Sequence, residues 1–484
     1  MKIYEILPRL DEVEIFGIAD IEITDITEHS AHASCGTAFA CIKGLRDDGN
    51  LHIAEARLRG ARVFISENKI NIFSDEMLIL SKNARKTSAE IANALYGSGL
   101  AAMKIIGITG TKGKTTTAKM LSSCLSHISV PHVIIGTLGI EIITDSKKYI
   151  PTDNTTPDAP TVYRALRDAS LLGARAAVIE VSSQALSGYR VFGIPFYAAV
   201  FTNFSRDHIG PTEHSTEEEY FSAKLSLFTD YGIRYAVINS ADSRAETISR
   251  ISPNTVTVSD DPEATLRVKI QGREGLGISF LLGDKPFYLP MGGEFNAHNA
   301  ALAVASASVC FGRAVETFTE PIREFSLRGR YELYRLDGRM IVIDFAHNAE
   351  SVSALCKSIR DYASGRLILV FGSVGERSRE RRTMLAIAAE TYGDISIITS
   401  DNPGFEDPED ICGDILSAFL DSSHALVVTD REAAIKRAVE LSSRGDFLLL
   451  LGKGHEDFQD IKGERVPFSE RDIIEGLGAV PITD

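Results

Sequence analysis

The apolar run Lys104–Thr109 (KIIGIT) passes directly into a glycine-rich turn, Gly110-Thr111-Lys112-Gly113, and then into helical periodicity over Lys114–His127. A short strand, a tight glycine turn and a helix, in that order, open an α/β domain built on a parallel sheet. The turn's backbone N–H groups and the helix N-terminus form a cradle for phosphates. In such a cradle Lys114 reaches the β- and γ-phosphates, and Thr115, followed by Thr116, offers a hydroxyl to Mg²⁺. The strict GxxxxGK[ST] spacing is not met, because Ile108 stands at the first glycine position. The GKTT run between strand and helix still predicts a phosphate site.

A chain of 484 residues exceeds what one hydrophobic core organises and predicts about three domains. Its net charge of −15 repels polyphosphate, which disfavours nucleic acid as a partner. An anionic small substrate would need a local basic site against that field. Six cysteines, at 35, 41, 124, 310, 356 and 412, show neither CxxC pairs nor zinc spacing. They read as reduced thiols of a cytoplasmic protein. The N-terminus lacks a signal-peptide pattern, and no uninterrupted apolar run has the length of a membrane helix.

Residues 1–98 mix short elements: strands at 38–42 and 61–65 and a helix at 51–59. Gly97-Ser98-Gly99 breaks the chain. Buried-strand patterns recur at 176–181, 198–202 and Tyr235–Asn239, with a helix over 216–228, a β-rich stretch over 255–290 and an alanine-rich helix over 297–311. At SLRGR, 326–330, the chain restarts. Strands at Arg339–Asp344, 366–371, 395–400, 425–428 and Phe447–Leu451 alternate with helices at 349–362, 379–391, 409–419 and 431–442. That alternation predicts a parallel sheet covered on both faces. The expected domains are 1–98, 99–325 and 326–484.

Several polar residues follow predicted strands, at the sheet edge where α/β proteins bind ligands. Glu180 ends one strand, and Asp207 and His208 follow another, with His214 six residues on. With Thr115 they predict a metal site at one edge. Lys224, by residue type alone, reads as a surface lysine. Asn296 and Asn299 begin a helix, and Arg330 sits at the domain junction. In the last domain, Asp344 and His347 follow the first strand and Gly452–Glu456 follows the last, predicting a ligand crevice. Asp401-Asn402-Pro403-Gly404 reads locally as a turn.

Taken together these segments resemble the Mur ligase family. The resemblance spans the chain: GTKGKTTT at 110–117, NTTPDAP at 154–160, EVSSQAL at 180–186, AVFTNFSRDH at 199–208 and YFSAKLSLF at 220–228. It continues through FNAHNAALA at 295–303, GRYE at 329–332, DFAHN at 344–348, SDNP at 400–403 and GKGHEDFQ at 452–459. It implies an N-terminal α/β UDP-binding domain, a central P-loop-type ATPase domain with a mostly parallel sheet, and a C-terminal Rossmann-like domain for an incoming amino acid. It implies the tripeptide-forming branch of peptidoglycan precursor synthesis. There an amino acid joins the D-Glu of UDP-MurNAc-L-Ala-D-Glu through an acyl phosphate, with ATP and Mg²⁺, in a cytoplasmic monomer with no membrane or nucleic-acid partner.

Carried over by position, Gly110 to Thr116 hold ATP, and Asn296, Arg330 and Asp344 lie around the nucleotide. Lys114, Lys224, His208 and His347 are implied catalytic residues. Thr115, Glu180, His208 and Lys224 are implied to serve the metal, Lys224 as a carbamate. Ser30, Thr155, Thr156, Ser182 and Arg190 match acceptor contacts. Asp401, Asn402, Gly404, Gly452 and Glu456 match the amino-acid pocket.

The sequence also departs from the family. Where an Asp-Ser-Arg motif is usual, the chain has His29-Ser30-Ala31, although Gly44 and Asp48-Gly49 match the segment that follows. Gly188 stands where a Gln is common. Members that add meso-diaminopimelate carry DNPR; here position 404 is Gly. A distal carboxylate would lack its arginine, so L-lysine is expected over meso-diaminopimelate, with Glu406 and Asp407 as candidate partners of a side-chain amine. In FGSVGER, 371–377, Glu376 replaces an Asp, a change expected to matter little. An alternative is a diverged paralogue that forms an amide on another acceptor. A non-catalytic ATP-binding protein is opposed by intact Lys114, Glu180, His208, Lys224 and His347.

Overall fold

The computed structural model describes residues 1–44, 47–205 and 214–482. The chain divides into two compact units: Met1–Lys269 with Leu282–Lys285 and His298–Pro321, and Ile270–Leu281 with Pro286–Ala297 and Ile322–Asp484.

The first unit contains two sheets. The N-terminal sheet has five strands in the order Val13–Gly17, Met77–Ser81, Val63–Ser66, Thr37–Ala40, Asp25–Thr27. All pairs are parallel except the Val13–Gly17 edge. Alternate residues separate into two cores, as strand geometry requires. Ala38, Ala40, Val63, Ile65, Met77 and Ile79 face one core. Phe39, Phe64 and Leu78 face the other, against Ile53 and Ala56 of the helix Ile53–Leu58.

In the central sheet, parallel strands run in the order Thr255–Ser259, Tyr235–Asn239, Phe196–Phe201, Lys104–Thr109, Ala176–Glu180, His132–Gly136. Gly139–Ile143 and Lys147–Ile150 extend it antiparallel. The strand Lys104–Thr109, which leads into the glycine turn, therefore lies between Ala176–Glu180 and Phe196–Phe201. The chain leaves it first to one side and later to the other, which opens a crevice beyond its carboxyl end. Both sheets share one hydrophobic core that runs from Ile3 to Ile248.

The helices Ala84–Tyr96 and Ala159–Leu171 pack together within that core. The sequence reading did not find them. The buried face of the first is largely Ala, Ser and Thr, so bulky apolar periodicity is weak. Asn83 and Asp158 cap their N-termini through Lys86 N–H and Thr161 N–H, each at 3.0 Å.

The second unit holds a seven-stranded sheet in the order Ala425–Val427, Ile395–Ile398, Leu367–Phe371, Phe447–Leu451, Arg339–Asp344, Glu332–Leu336, Val480–Pro481. The first five strands are parallel. Ile341, Ile343, Ile368, Val370, Ile397, Leu448 and Leu450 pack on Ala434, Ile435 and Ala438 of the helix Arg431–Leu441. Val342, Leu369 and Leu449 are buried on the other face. Burial on both faces explains why these strands read as continuous apolar runs. Among the described residues no helix is long and apolar enough to cross a membrane, and all six cysteines are free thiols.

Candidate active site

In the first unit the strand Lys104–Thr109 delivers the glycine turn, and the helix Lys114–His127 leaves it. Gly110 adopts φ +147°, and a Cβ there would lie 1.9 Å from Thr202 Oγ1. Gly113 adopts φ +81°, and its Cβ would lie 2.4 Å from Asn299 Oδ1. Neither position admits a side chain.

The next strand end clamps the turn. Thr111 N–H donates to Asn203 O at 2.9 Å, Lys112 N–H to Asn203 Oδ1 at 2.9 Å, and Thr202 Oγ1 to Lys112 O at 2.6 Å. Lys114 Nζ donates to the carbonyls of Gly110 and Thr111 at 2.9 and 3.0 Å. Lys224, read from its residue type as a surface lysine, is 1% exposed. Its Nζ donates to Gly110 O at 2.9 Å and lies 4.2 Å from the Tyr220 ring centroid.

Glu180, 1% exposed, sits beside the turn. Its Oε2 accepts from Thr115 Oγ1 at 2.8 Å and Thr137 Oγ1 at 3.2 Å, and its Oε1 from Thr137 N–H at 3.0 Å. Thr137 was not singled out in the sequence. It follows a strand on an unremarkable Gly-Thr-Leu-Gly stretch, and only the fold brings it to Glu180. Asp207 and His208 lie outside the described residues. His214 is a buried, satisfied histidine bonded to Ser183 Oγ at 2.9 Å. Among the described residues no group of three His, Cys, Asp or Glu side chains is arranged to hold a metal; the oxygens near the turn come from Thr115 and Glu180.

The predicted acceptor residues form a connected set. Thr137 Oγ1 and Thr155 Oγ1 are 3.1 Å apart. Thr156 Oγ1 donates to Glu180 O at 2.7 Å and accepts from Ser182 N–H at 3.1 Å. Arg190 Nη1 donates to Thr156 O at 2.8 Å. Ser30 opens the short helical turn Ser30–His32 that follows the strand Asp25–Thr27, and its hydroxyl donates to Glu55 at 2.7 Å. Beside it, His29 Nε2 stands 3.8 Å from Asp158 Oδ2. Glu28 accepts from Ser88 Oγ at 2.9 Å. Lost solvation and the like charge of Asp158 push the Glu28 carboxyl up to about 7.

In the second unit the polar strand ends converge. Asp344 accepts from Tyr331 N–H and Ala346 N–H, both at 2.8 Å, and burial raises its pKa against the pull of Arg330. Arg330 lies 4.7 Å over the Phe345 ring, and His347 Nδ1 donates to Phe345 O at 2.8 Å. Gly329 must be glycine, since a Cβ would lie 2.2 Å from His455 N. Burial and the cations Arg330, Arg471, Arg328 and Lys453 hold His455 down at about 3, so it is neutral near pH 7. Asn296 Nδ2 donates to Gly292 O at 2.8 Å.

Asn402 is the hub of the amino-acid set. Its Oδ1 accepts from Lys453 Nζ at 2.7 Å and Asp460 N–H at 2.9 Å, and its Nδ2 donates to Glu456 at 2.9 Å. Lys453 is fully buried, bonds Glu456 at 2.8 Å and stands 3.7 Å from Asp401. Gly452 adopts φ +106°, with room for a Cβ blocked by Asp401 Oδ2 at 2.6 Å. The sequence reading offered Glu406 and Asp407 as partners of a substrate amine, but the fold commits both. Arg382 holds Glu406 at 2.7 Å, and Asp407 caps the helix Pro408–Ser417. Lys453 was noted only as part of the Gly452–Glu456 run, and Arg382 went unnoticed in the sequence, where it reads as one more charged residue.

Residues 108–307 match the Mur ligase middle domain, and residues 329–454 match the Mur ligase, glutamate ligase domain. A UDP-N-acetylmuramoyl-L-alanyl-D-glutamate–2,6-diaminopimelate ligase of Aquifex aeolicus is 34% identical, over 94% of this chain and 93% of its own. The protein of that name from Trichormus variabilis is also 34% identical, over 98% of both chains. A solved structure of such a ligase superimposes with a TM-score of 0.66 at 27% identity, covering 99% of each chain. The phosphate turn, the paired sheets and whole-length relatives agree: the chain belongs to the Mur ligase family of ATP-dependent, amide-bond-forming ligases.

Proposed function

We propose that the protein joins an amino acid, L-lysine in preference to meso-diaminopimelate, to the D-Glu of UDP-MurNAc-L-Ala-D-Glu in peptidoglycan precursor synthesis. It acts as a cytoplasmic monomer on small molecules. The carrying observation is the phosphate turn with buried Lys224 on the Gly110 carbonyl and Glu180 on Thr115. Residues 1–98 serve the UDP moiety, 99–325 the nucleotide and 326–484 the amino acid.

Residues 110–116 would bind ATP phosphates through backbone N–H groups, the helix N-terminus and Lys114. Asn296, Arg330 and Asp344 would hold the rest of the nucleotide. Thr115 and Glu180 supply hard oxygen donors, the chemistry that suits Mg²⁺; His208 and Lys224 complete the set we assign. Lys224 would serve as a carbamate: its ammonium loses one proton, the neutral amine adds CO₂ and loses a second, so that a buried cation becomes an anion. When bound, Mg²⁺ would neutralise charge on the phosphates.

Thr155, Thr156, Ser182, Arg190 and Ser30 would orient the acceptor. Its D-Glu carboxylate attacks the γ-phosphate and ADP leaves, forming an acyl phosphate. The amine of the incoming amino acid, held by Asp401, Asn402, Gly404, Gly452 and Glu456, attacks that carbonyl. Inorganic phosphate then departs. His347, its ring fixed through Nδ1, would stand beside the reacting groups. The protein's contribution is chiefly positioning.

The relatives are named as 2,6-diaminopimelate ligases; the preference for lysine rests on Gly404 standing in place of the arginine of DNPR. A second reading, a paralogue acting on a different acceptor, is favoured by His29 and Ala31 and by the bond of Ser30 to Glu55. One assay separates the two. ADP and phosphate release should require UDP-MurNAc-L-Ala-D-Glu together with an amino acid. Release that ignores this acceptor would refute the first reading.

A further inference from the structure

A cavity of 680 Å³ lies in the first unit, between the helix Glu217–Thr229 and the loop that follows the helix Ser183–Ser187. That volume is in the range of small-molecule sites. Glu219, Ser222, Ala223 and Ser226 line it, three and four residues apart, as one face of a helix requires. Tyr220 and Lys224 of the same helix are buried instead, Lys224 on the Gly110 carbonyl at 2.9 Å. The cavity is therefore separate from the phosphate turn.

The facing loop is built around a strained residue. Tyr189 adopts φ +57°, unfavourable for a residue with a side chain. Backbone bonds on both sides hold it there: Arg190 N–H donates to Ala185 O at 2.9 Å and Phe192 N–H to Tyr189 O at 3.2 Å. Tyr189 lines the cavity, while Arg190, next in the chain, reaches Thr156 O at 2.8 Å. Phe192 and Tyr231 also line the cavity. The Tyr189 and Phe192 rings meet edge to face at 5.8 Å, and Tyr231 meets Phe196 in the same way at 5.4 Å. Burial, with the nearby Asp230 and Tyr189, pushes the Tyr231 phenol up, so its hydroxyl is neutral.

The charged groups at this cavity are two carboxylates. Glu219 stands in the first turn of the helix and Asp230 directly after its last residue. At the helical rise they are about 16 Å apart. Both have local bonds. Glu219 Oε2 accepts from Ser215 N–H at 2.8 Å, and its Oε1 stands 3.9 Å from His214 Nδ1. Asp230 Oδ1 accepts from Thr229 Oγ1 at 2.6 Å. An ionised carboxylate accepts about four hydrogen bonds, so each retains capacity for a further donor. Among the described residues that line the cavity none is basic. Lys86, whose ammonium lies 5.2 Å from the Phe192 ring centroid, is matched by Asp11 at 2.8 Å and Glu90 at 3.7 Å.

We propose that this cavity binds a linear polyamine, one terminal ammonium at Glu219, the other at Asp230, and the chain between them along Tyr189, Phe192 and Tyr231. Ring faces and carboxylates both attract ammonium groups, and the rings also cover methylenes. Ser226 donates to Ala223 O at 2.8 Å, which leaves its hydroxyl oxygen to accept from an inner ammonium. The spacing selects for length, because a short diamine or a metal ion reaches only one of the two carboxylates. The net charge of −15 attracts any cation to the protein; the cavity adds the preference for a long one.

The test is titration calorimetry of the full-length protein at physiological ionic strength with spermine, spermidine and 1,4-diaminobutane. Spermine should bind at one site per chain, spermidine more weakly and 1,4-diaminobutane most weakly. Glu219→Gln combined with Asp230→Asn should weaken spermine roughly tenfold and flatten that order. Tyr231→Leu should weaken it about threefold. Ala223→Leu keeps both charges but fills the cavity, and should abolish binding; it carries the test if thermal unfolding shows the charge variant to be unfolded. Glu246→Gln combined with Glu263→Gln removes two exposed carboxylates outside the cavity and should bind spermine as the wild type does. Equal weakening in this control and in the cavity variant, equal affinity for the three amines, or binding untouched by Ala223→Leu overturns the proposal and leaves only general attraction to an acidic surface.

Discussion

Lys224 Nζ donates to the carbonyl of Gly110 at 2.9 Å, at the root of the phosphate turn. A lysine that is 1% exposed loses most of its hydration, and such amines are prone to lose their charge or become modified. The same nitrogen faces the Tyr220 ring at 4.2 Å.

Lys224→Ala should abolish phosphate release, with excess bicarbonate unable to restore it because the amine that would carry CO₂ is gone. Retained folding, checked by thermal unfolding, separates this from collapse. Full activity in the variant would rule out the carbamate role.

Thr137 holds both oxygens of Glu180, one through its N–H and one through its hydroxyl. Thr137→Val keeps the first bond and removes the second. The expected outcome is a fall in kcat of about tenfold, with stability lowered by about 1 kcal/mol. Unchanged kcat would mean that Thr115 and the Thr137 N–H suffice to orient the carboxylate.

Glu28 provides a pH signature. Its folded carboxyl titrates at about 7 against an ordinary value of 4.5. The folded protein keeps this proton where the unfolded chain has already released it, so this group lowers stability as pH rises from about 4.5 to about 7. Above that range the penalty is constant. Glu28→Gln should therefore raise Tm at pH 8 by about 3 °C and leave it unchanged at pH 4. A Tm difference that is largest at pH 4 would contradict this.

Arg431 and Glu470 form a buried ion pair at 2.8 Å, and Arg431 also donates to Leu451 O at 2.6 Å, at the root of the Gly452–Glu456 turn. Arg431→Met leaves a buried carboxylate without its cation and should cost about 3–5 kcal/mol. The double variant with Glu470→Met should recover much of that loss. In denaturant titration, equal midpoints for single and double variants would show that the pair is not coupled.

The phosphate turn was legible because it is local: strand, glycines and helix follow one another within Lys104–His127, and the structure has the boundaries that periodicity predicted. The strands Tyr235–Asn239, Arg339–Asp344 and Phe447–Leu451 were equally plain, because burial on both faces writes an unbroken apolar run. The helices Ala84–Tyr96 and Ala159–Leu171 were not found; for the first, close packing on small residues leaves little hydrophobic rhythm.

The sequence by itself determined the phosphate turn, the continuous buried strands and the family, since each depends on neighbours in the chain or on motif spacing. Tertiary structure alone decided that Lys224 is buried, that Thr137 grips Glu180, and that Glu470 is buried against Arg431. Each of these depends on residues far apart in the chain or in separate turns, joined at the carboxyl edge of a parallel sheet. Their residue types carry no mark of it: a lysine, a threonine or a glutamate reads as surface until packing removes the water around it.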